Sequence, residues 1–263
     1  MSAISTDRIR EIVGRLPTTR DEDWKYTDLS RARDISTRWL DAGAATPADS
    51  RTEEITAITS SIDATWFVFE NGRLSALADG DGFTAEKLAE VPFGDSALAE
   101  LNAALLADGL RLRFDGTPSK PVGLLFFDAA EEPSLTQGYV ELEFAAHAAA
   151  DVVEYHASRG SADHYANSRV SIKVGDGAAV NHVRIQDRAL EHVQTGRTTV
   201  SVARDGRFQS ASFDLGGGLV RNDLDIDIAM PGADVSFDGL YLAGDGQHIA
   251  NHTRVDHRVG PAT

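Results

Sequence analysis

Cysteine is absent from the 263 residues of this chain. Its absence excludes disulfide bonds, thiolate metal ligands and a cysteine nucleophile. Long apolar runs are absent too, since no segment approaches the ~20 residues that a membrane-spanning helix requires. The first ten residues have no apolar signal-peptide core, and they include the acidic Asp7, which is unlike a transit peptide. We therefore expect a cytoplasmic protein.

Positive charge is in short supply. Lysine and arginine number 25 against 41 acidic residues, which gives a net charge of −16. Such a surface repels phosphate backbones and anionic lipid surfaces. Neither a nucleic acid nor a membrane is therefore expected as a partner, and a solvated acidic surface is the simplest interpretation. The length allows one large domain or two smaller ones.

The second half of the chain repeats a pattern of two short strands about every 27 residues. Four alternating segments share one register, and their first inward residues are separated by 30, 28 and 26 residues. These residues are Val140, Val170, Thr198 and Leu224. A second series follows the tight turns at intervals of 28, 28 and 27 residues. Its members are Val152, Val180, Phe208 and Val235.

Alternation with a period of two indicates strands with one buried and one wet face. A constant longer period indicates coils that stack on one another. The pattern therefore predicts a β-solenoid over residues 110–263, mainly β in content. A β-sandwich is the alternative, because its strands also recur every 8–12 residues. We favour the solenoid because sandwich strands need not keep a fixed two-strand period.

Residues 1–109 predict a mostly helical α+β part. Apolar residues at helical spacing indicate a helix over 4–16 with Ser5 or Thr6 as N-cap, and a second helix begins at Ser30 and gives way to a loop by Ala45. Thr65–Glu70 reads as a strand that ends in an Asn-Gly hairpin turn. One or two helices are expected over 84–107.

Histidines cluster near the end of the sequence. His252, Asp256 and His257 are the candidates we name for binding a metal. On an extended strand His252 and Asp256 project to one side and His257 to the other, so one strand cannot offer both histidines to the same ion. A polar strand end with hydrogen-bonded histidines is the alternative interpretation.

Two further patterns carry weaker signals. Asp223, Asp225 and Asp227 form a row that fits either a cation site or the solvated side of a strand paired with arginines. Carboxylates on a β-helix also leave open an enzyme that acts on polysaccharides. The Gly216–Gly218 run lacks the spacing of a phosphate loop and indicates close backbone approach between coils or a sharp corner. No catalytic residue is predicted.

Three segments resemble the SufB/SufD family of the SufBCD iron–sulfur cluster assembly complex, on its SufD side. They are Leu16–Leu29, with Asp23-Trp24-Lys25-Tyr26-Thr27-Asp28-Leu29, then Asp214–Arg221, and His252–His257. The resemblance implies a right-handed parallel β-helix after a mostly helical N-terminal part. Trp24 and Tyr26 are interpreted as aromatics that anchor the N-terminal segment.

The resemblance also implies partners. SufD-like proteins pair with a SufB-like subunit through their β-helices and bind a SufC-like ABC ATPase through a C-terminal helical region. This sequence stops at Thr263, just after the last motif, so we expect a truncated β-helix without the SufC-binding region. We further expect the strand near 253–259 to associate with another chain, such as a second copy, or to be poorly ordered.

The sequence thus predicts a non-enzymatic SufD-like scaffold and partner subunit. No bound cofactor is expected, and iron or an iron–sulfur cluster would be a transient cargo of the full complex. A β-helix enzyme acting on polysaccharide and a free-standing binding module remain as alternatives.

Overall fold

The computed structural model describes residues 4–44, 51–129 and 131–258. The helices are α1 (Thr6–Gly14), α2 (Ser30–Asp41), α3 (Thr52–Ser61) and α4 (Ala97–Leu105). The strands are β1 (Thr65–Glu70), β2 (Arg73–Leu74), β3 (Phe83–Leu88), β4 (Gly109–Phe114), β5 (Val122–Ala129), β6 (Ser134–Phe144), β7 (Ala149–Arg159), β8 (His164–Val174), β9 (Ala179–Asp187), β10 (His192–Val202), β11 (Arg207–Asp214), β12 (Leu219–Ile228), β13 (Asp234–Tyr241) and β14 (His248–His257).

The described strands form two seven-stranded sheets. Sheet A has the order β13-β11-β9-β7-β5-β1-β2, and sheet B has the order β14-β12-β10-β8-β6-β4-β3. From β4 onward successive strands alternate between the sheets, and each pairs in parallel with the strand two places away in sequence. Each coil therefore contributes one strand to each sheet, which gives a β-solenoid of about five turns. The predicted solenoid is confirmed, and the β-sandwich is excluded because sandwich sheets are antiparallel.

The coils stack in the register that the first sequence series predicts. Val140, Val170, Thr198 and Leu224 are direct partners along sheet B. In the second series Val180, Phe208 and Val235 are partners as well. The prediction is wrong for Val152, which lies opposite His182, while Ala150 is the partner of Val180. A 30-residue step from β7 to β9 causes this shift, whereas the next step has 28 residues.

The interior of the solenoid is apolar around the turns that join each strand of sheet B to the next strand of sheet A. Inward residues of both sheets form one cluster that includes Val140, Ile172, Val202 and Phe208, all buried. Stacked Phe114 and Phe144 rings, with centroids 4.4 Å apart, continue the ladder between coils. Burying such side chains contributes roughly 1.5–3 kcal/mol each.

The N-terminal helices cover the outer face of sheet B. Apolar residues of α1, α2 and α4 form a second cluster with the outward-facing Leu135, Tyr165 and Val193, which are stacked partners on β6, β8 and β10. Ser5 caps α1 by accepting a hydrogen bond from the backbone N–H of Arg8, as predicted. None of the described helices is long and apolar enough to cross a bilayer.

Three expectations for the N-terminal part need correction or restriction. Residues 83–88 form β3 rather than helix, because Phe83 and Leu88 are buried by antiparallel pairing with β4. Tertiary pairing here overrides the helical preference of Ala-Glu-Lys-Leu. The predicted end of the second helical segment at Ala45 lies outside the described residues. β1 pairs with β5, and β3 pairs with β4, so strands from both sides of the predicted boundary at 109/110 share the same sheets. The division into two domains stays a prediction.

Turns between the sheets are stacked as regularly as the strands. His147, Gly177, Asp205 and Gly232 occupy equivalent turn positions, with φ of 64°, 63°, 54° and 79°. Backbone bonds join the turns, among them Gly177 N–H to the Arg204 carbonyl at 2.8 Å. Glycine adopts positive φ without strain, which explains its use at two of these four positions.

The Gly216–Gly218 run is a point of close backbone approach, as predicted. A Cβ at Gly216 would lie 2.2 Å from the carbonyl oxygen of Arg188, and one at Gly218 would lie 2.3 Å from that of Leu190. The loop after β11 can therefore lie directly on the loop after β9 only when these residues have no side chain.

We predict that Gly216→Ala lowers the free energy of unfolding by about 1–3 kcal/mol, since backbone must move to admit the methyl group. Gly14→Ala is the matched control, because a Cβ at this position would meet no atom of another element within 4 Å. That control should be neutral or stabilise by about 0.5–1 kcal/mol. Urea unfolding measures both variants, and equal stability of the two would contradict the close approach.

Candidate functional site

The predicted residues on β14 lie on two faces of the sheet. His252 and Asp256 are stacked on Asp223 and Asp227 of β12, on the outer face, whereas His257 is stacked on Ile228 and follows the inward register. The separation expected from alternation is therefore confirmed. Within residues 4–44, 51–129 and 131–258, no three His, Asp or Glu side chains are grouped so that they could hold a metal ion.

The aspartate row of β12 is neutralised by arginines. Asp223 lies 2.6 Å from Nε of Arg221, and Asp225 lies 2.7 Å from Nε of Arg197. Asp227 lies 2.7 Å from Nε of Arg258. This arrangement supports the interpretation as a solvated strand face paired with arginines and leaves the row unlike a pair of catalytic carboxylates.

All three segments that carry the family resemblance meet in one groove on the outer side of sheet B. The groove has a volume of about 270 Å³ and is lined by Trp24, Arg221 and His252, among others. The guanidinium carbon of Arg221 lies 4.7 Å from the Trp24 ring centroid, a cation–π contact. Arg169, Arg197 and Arg254 add three further guanidinium groups to the same groove.

The first of these segments is anchored by one of its two aromatics. Trp24 packs against the helical cluster on sheet B, as expected. The expectation is wrong for Tyr26, whose side chain is 81% exposed. Thr27 supplies a further anchor, since its hydroxyl oxygen lies 3.3 Å from Nε2 of His248 at the start of β14.

The solenoid interior changes from apolar to polar along its ladders. Phe126 of β5 is followed at the same inward position by His156, Gln186 and Asp214 on successive strands of sheet A. Leu124 is likewise followed by Glu154, Arg184 and Ser212. Each buried polar side chain needs a hydrogen-bond partner, either on its own strand or on a neighbouring coil.

Glu154 is the centre of the first buried cluster. Its two carboxylate oxygens lie 2.5 Å from Nε2 of His156 and 3.0 Å from Nε2 of His182. A carboxylate only accepts, so both rings donate from Nε2. Burial raises the pKa of Glu154, but these two hydrogen bonds outweigh it and leave the pKa far below its ordinary value. Burial lowers the pKa of His156 to about 4, although Glu154 acts in the opposite direction.

A buried ion pair extends the cluster toward the last coils. Nη1 of Arg184 donates to Oδ1 of Asp214 at 2.8 Å, and Asp214 also accepts from Asn222 and Asn251. Beside it lies a cavity of about 320 Å³. Small inward residues, including Ser168, Gly196 and Ser212, leave this space open. In the first coil the ring of Phe126 fills the corresponding space, so close to Gly138 that a Cβ there would lie 2.7 Å from it.

A second buried cluster surrounds Asp128. Nη1 of Arg188 lies 2.6 Å from its carboxylate, and Nε2 of His164 lies 3.4 Å from the same oxygen. Burial raises the pKa of Asp128, but Arg188 and His164 outweigh it and hold that pKa well below its usual range. Burial lowers the pKa of the nearby His192 to about 3, with His164 and Arg188 adding to the effect.

Sequence reasoning missed both interior clusters. It used the register only for the apolar half of each coil and interpreted histidines near the end of the chain instead. The signal is nevertheless present: continuing the inward alternation of the second series through β7, β9 and β11 reaches Glu154, His182, Arg184 and Asp214. A charged residue at a predicted inward position is the observation that would have located these clusters.

Comparison with known proteins adds to this picture of a parallel β-solenoid with a buried polar interior. Residues 126–263 match the family described as "SUF system FeS cluster assembly, SufBD core domain". The chain belongs to this family, as its sequence motifs indicate.

Its relatives include the iron–sulfur cluster assembly protein SufD of Escherichia coli (strain K12), 24% identical over 263 residues that cover 93% of this chain and 60% of the relative. The SufBD family protein Mb1497 of Mycobacterium bovis is 27% identical over 92% of this chain and 55% of its own length. The chain thus spans a little over half the length of these two relatives.

The interior histidines predict a loss of stability in mild acid. The unfolded chain protonates histidine near pH 6.5, whereas folded His156 and His192 have pKa values of about 4 and about 3. The stability that depends on keeping these two histidines neutral is therefore fully present above about pH 6.5 and is lost as the pH falls toward 4. From pH 7 to pH 5 we expect a loss of about 2 kcal/mol for each of the two histidines.

Urea unfolding at the two pH values measures this loss, and His192→Gln should remove about half of it. His252→Gln is the control, because this ring is exposed on the outer face, and it should leave the loss unchanged. A loss of stability that His192→Gln does not reduce would contradict the buried neutral histidine.

Proposed function

We propose that this chain is a SufD-like scaffold subunit of an iron–sulfur cluster assembly complex, in which it pairs with a SufB-like subunit. Membership of the SufBD core family is the observation that carries the proposal. The similarity to E. coli SufD supports the choice of the SufD side. A SufC-like ABC ATPase completes the proposed complex.

The proposed contribution of the chain is shape rather than bond-breaking. Its charged interior groups are engaged with one another, as in the Glu154 and Asp128 clusters, and the Asp223–Asp227 row is paired with arginines. This supports a scaffold role over the polysaccharide-acting enzyme. Iron or an iron–sulfur cluster would pass through the complex as cargo. The cytoplasmic location stays a prediction.

The last described strand of sheet B offers a place for pairing. β14 is the last strand of sheet B and pairs with β12 alone among the described strands. The N–H groups of His248 and Arg258 bond to the β12 side. Because N–H groups alternate along a parallel strand, that of Thr253 points away from β12. Exposed N–H and C=O groups of this kind readily accept another chain.

We predict that the chain and a SufB-like protein from the same genome form a one-to-one complex. Size-exclusion chromatography with light scattering at micromolar concentrations measures its mass. Absence of any complex with the SufB-like protein would contradict the proposed pairing.

Thr253→Pro locates the pairing surface. It removes an edge donor but no bond to β12, so the variant should keep its fold and lose the SufB-like partner. Thr253→Ala is the matched control and should still bind. If Thr253→Pro binds the SufB-like partner as tightly as Thr253→Ala does, the two proteins pair elsewhere than at β14. If both variants fold and neither binds the partner, the result contradicts pairing through the backbone of β14.

A further inference from the structure

The outer face of sheet A is covered by a helix at one end and bare at the other. Ile55 and Ile58 of α3 pack on Leu125 and Phe127 of β5 and on Ala157 of β7. Among the described residues no helix has comparable contacts with the outer face of β9, β11 or β13. The same sheet face therefore has two environments.

The apolar ladder under α3 continues across the bare strands. Leu125 is stacked on Tyr155, and the same outward position is occupied by Ile185, Phe213 and Leu240. The next outward position, held by Phe127 and Ala157 under α3, carries Asp187 on β9. Just past the ends of β11 and β13 it carries Leu215 and Leu242. Leu240, Leu242 and Leu215 are 50%, 61% and 41% exposed. Exposed apolar side chains gathered on one face mark interaction sites more often than singly scattered ones.

The orientation of α3 on sheet A indicates how a second helix could pack on the bare strands. Its N-terminal end meets the end of β1, where the Arg51 N–H donates to Oε1 of Glu70 at 2.9 Å. Its C-terminal end meets the start of the same strand, where Nε1 of Trp66 donates to the Ile62 carbonyl at 3.2 Å. The helix therefore runs lengthwise, antiparallel to the strands.

Strand spacing leaves room for a second helix beside α3. Two strand intervals span about 9.6 Å, from a spacing of about 4.8 Å. Packed helices lie about 8–10 Å apart. A helix next to α3 would therefore lie over β9 and β11 and rest on Ile185, Phe213 and Leu240, the counterparts of the residues under α3.

Charge on the bare face selects a basic partner. The outward positions of β7, β9, β11 and β13 hold four aspartates and two arginines. Arg159 and Arg207 lie 3.7 Å and 3.6 Å from Asp187 and Asp234. Within the part of the chain that the structure describes, no cation lies within ion-pair distance of Asp151 or Asp238. A lysine-bearing or arginine-bearing helix would complement these two carboxylates.

The helices of a second copy are poor candidates, because their apolar sides are already engaged. Those of α1, α2 and α4 lie in the cluster on sheet B, and that of α3 lies on sheet A. We propose that the outer face of sheet A over β9, β11 and β13 binds a basic amphipathic α-helix of another polypeptide, beside α3. The proposal stands whether or not the chain pairs with a SufB-like subunit.

A fluorescein-labelled Leu/Lys amphipathic peptide of about 20 residues, ~30 Å long as a helix, is the probe. Fluorescence anisotropy should show saturable binding to the wild-type chain. The double variant Leu240→Ser/Leu242→Ser should weaken it about tenfold or more, because two leucines lose their burial against the peptide. The control Leu77→Ser/Phe93→Ser removes residues of similar exposure, 43% and 49%, away from the bare strands and should bind like wild type.

Three outcomes would overturn the proposal. One is the absence of saturable binding to wild type, and another is equal weakening by both double variants. The third is a wild-type dimer in light scattering that Leu240→Ser/Leu242→Ser converts to monomer, since the face would then bind a second copy. A peptide with glutamate in place of lysine tests the charge argument and should bind more weakly, and equal affinity would overturn the basic character of the partner.

Discussion

Backbone hydrogen bonding between successive coils is the interaction on which the rest of this structure depends. Each strand from β6 to β12 bonds to the strand one coil earlier and to the strand one coil later, so side chains 26–30 residues apart in sequence become direct neighbours. A one-residue slip would exchange the inward and outward faces of a whole strand. The apolar inner ladder prevents such a slip, and the close approach at Gly216 and Gly218 keeps the loops in the same alignment.

The same stacking allows the interior to hold charge. Burying an unpaired carboxylate or guanidinium costs several kcal/mol, so each needs a partner in reach. The coil period supplies it: His182 reaches Glu154 across 28 residues, and Arg184 reaches Asp214 across 30. These contacts exist only in the native register. They therefore favour one alignment of the coils over others with similar apolar burial, which is a property that a scaffold with fixed surfaces requires.

Periodicity made the solenoid predictable from sequence, because inward Val140, Val170, Thr198 and Leu224 depend on little except the strand repeat. The offset at Val152 was not predictable in the same way, since it arises from a coil that is two residues longer. β3 was mistaken for helix because its residues favour a helix locally and are extended by pairing with β4. The interior clusters could have been predicted by continuing the alternation, whereas the groove that joins Trp24, Arg221 and His252 required the packing of the N-terminal segment on sheet B.

Engineered cysteines test the stacking of coils most directly, because the natural chain has none to compete. Ser171 of β8 and Thr199 of β10 are direct partners on the outer face of sheet B. Cysteines at these two positions should form a disulfide readily, since cross-linked Cα atoms lie about 4.4–6.8 Å apart. Ser171 paired with Ser201, two residues out of register, should remain largely reduced under the same oxidation. Equal cross-linking of both pairs, or of neither, in the folded protein would contradict the in-register solenoid.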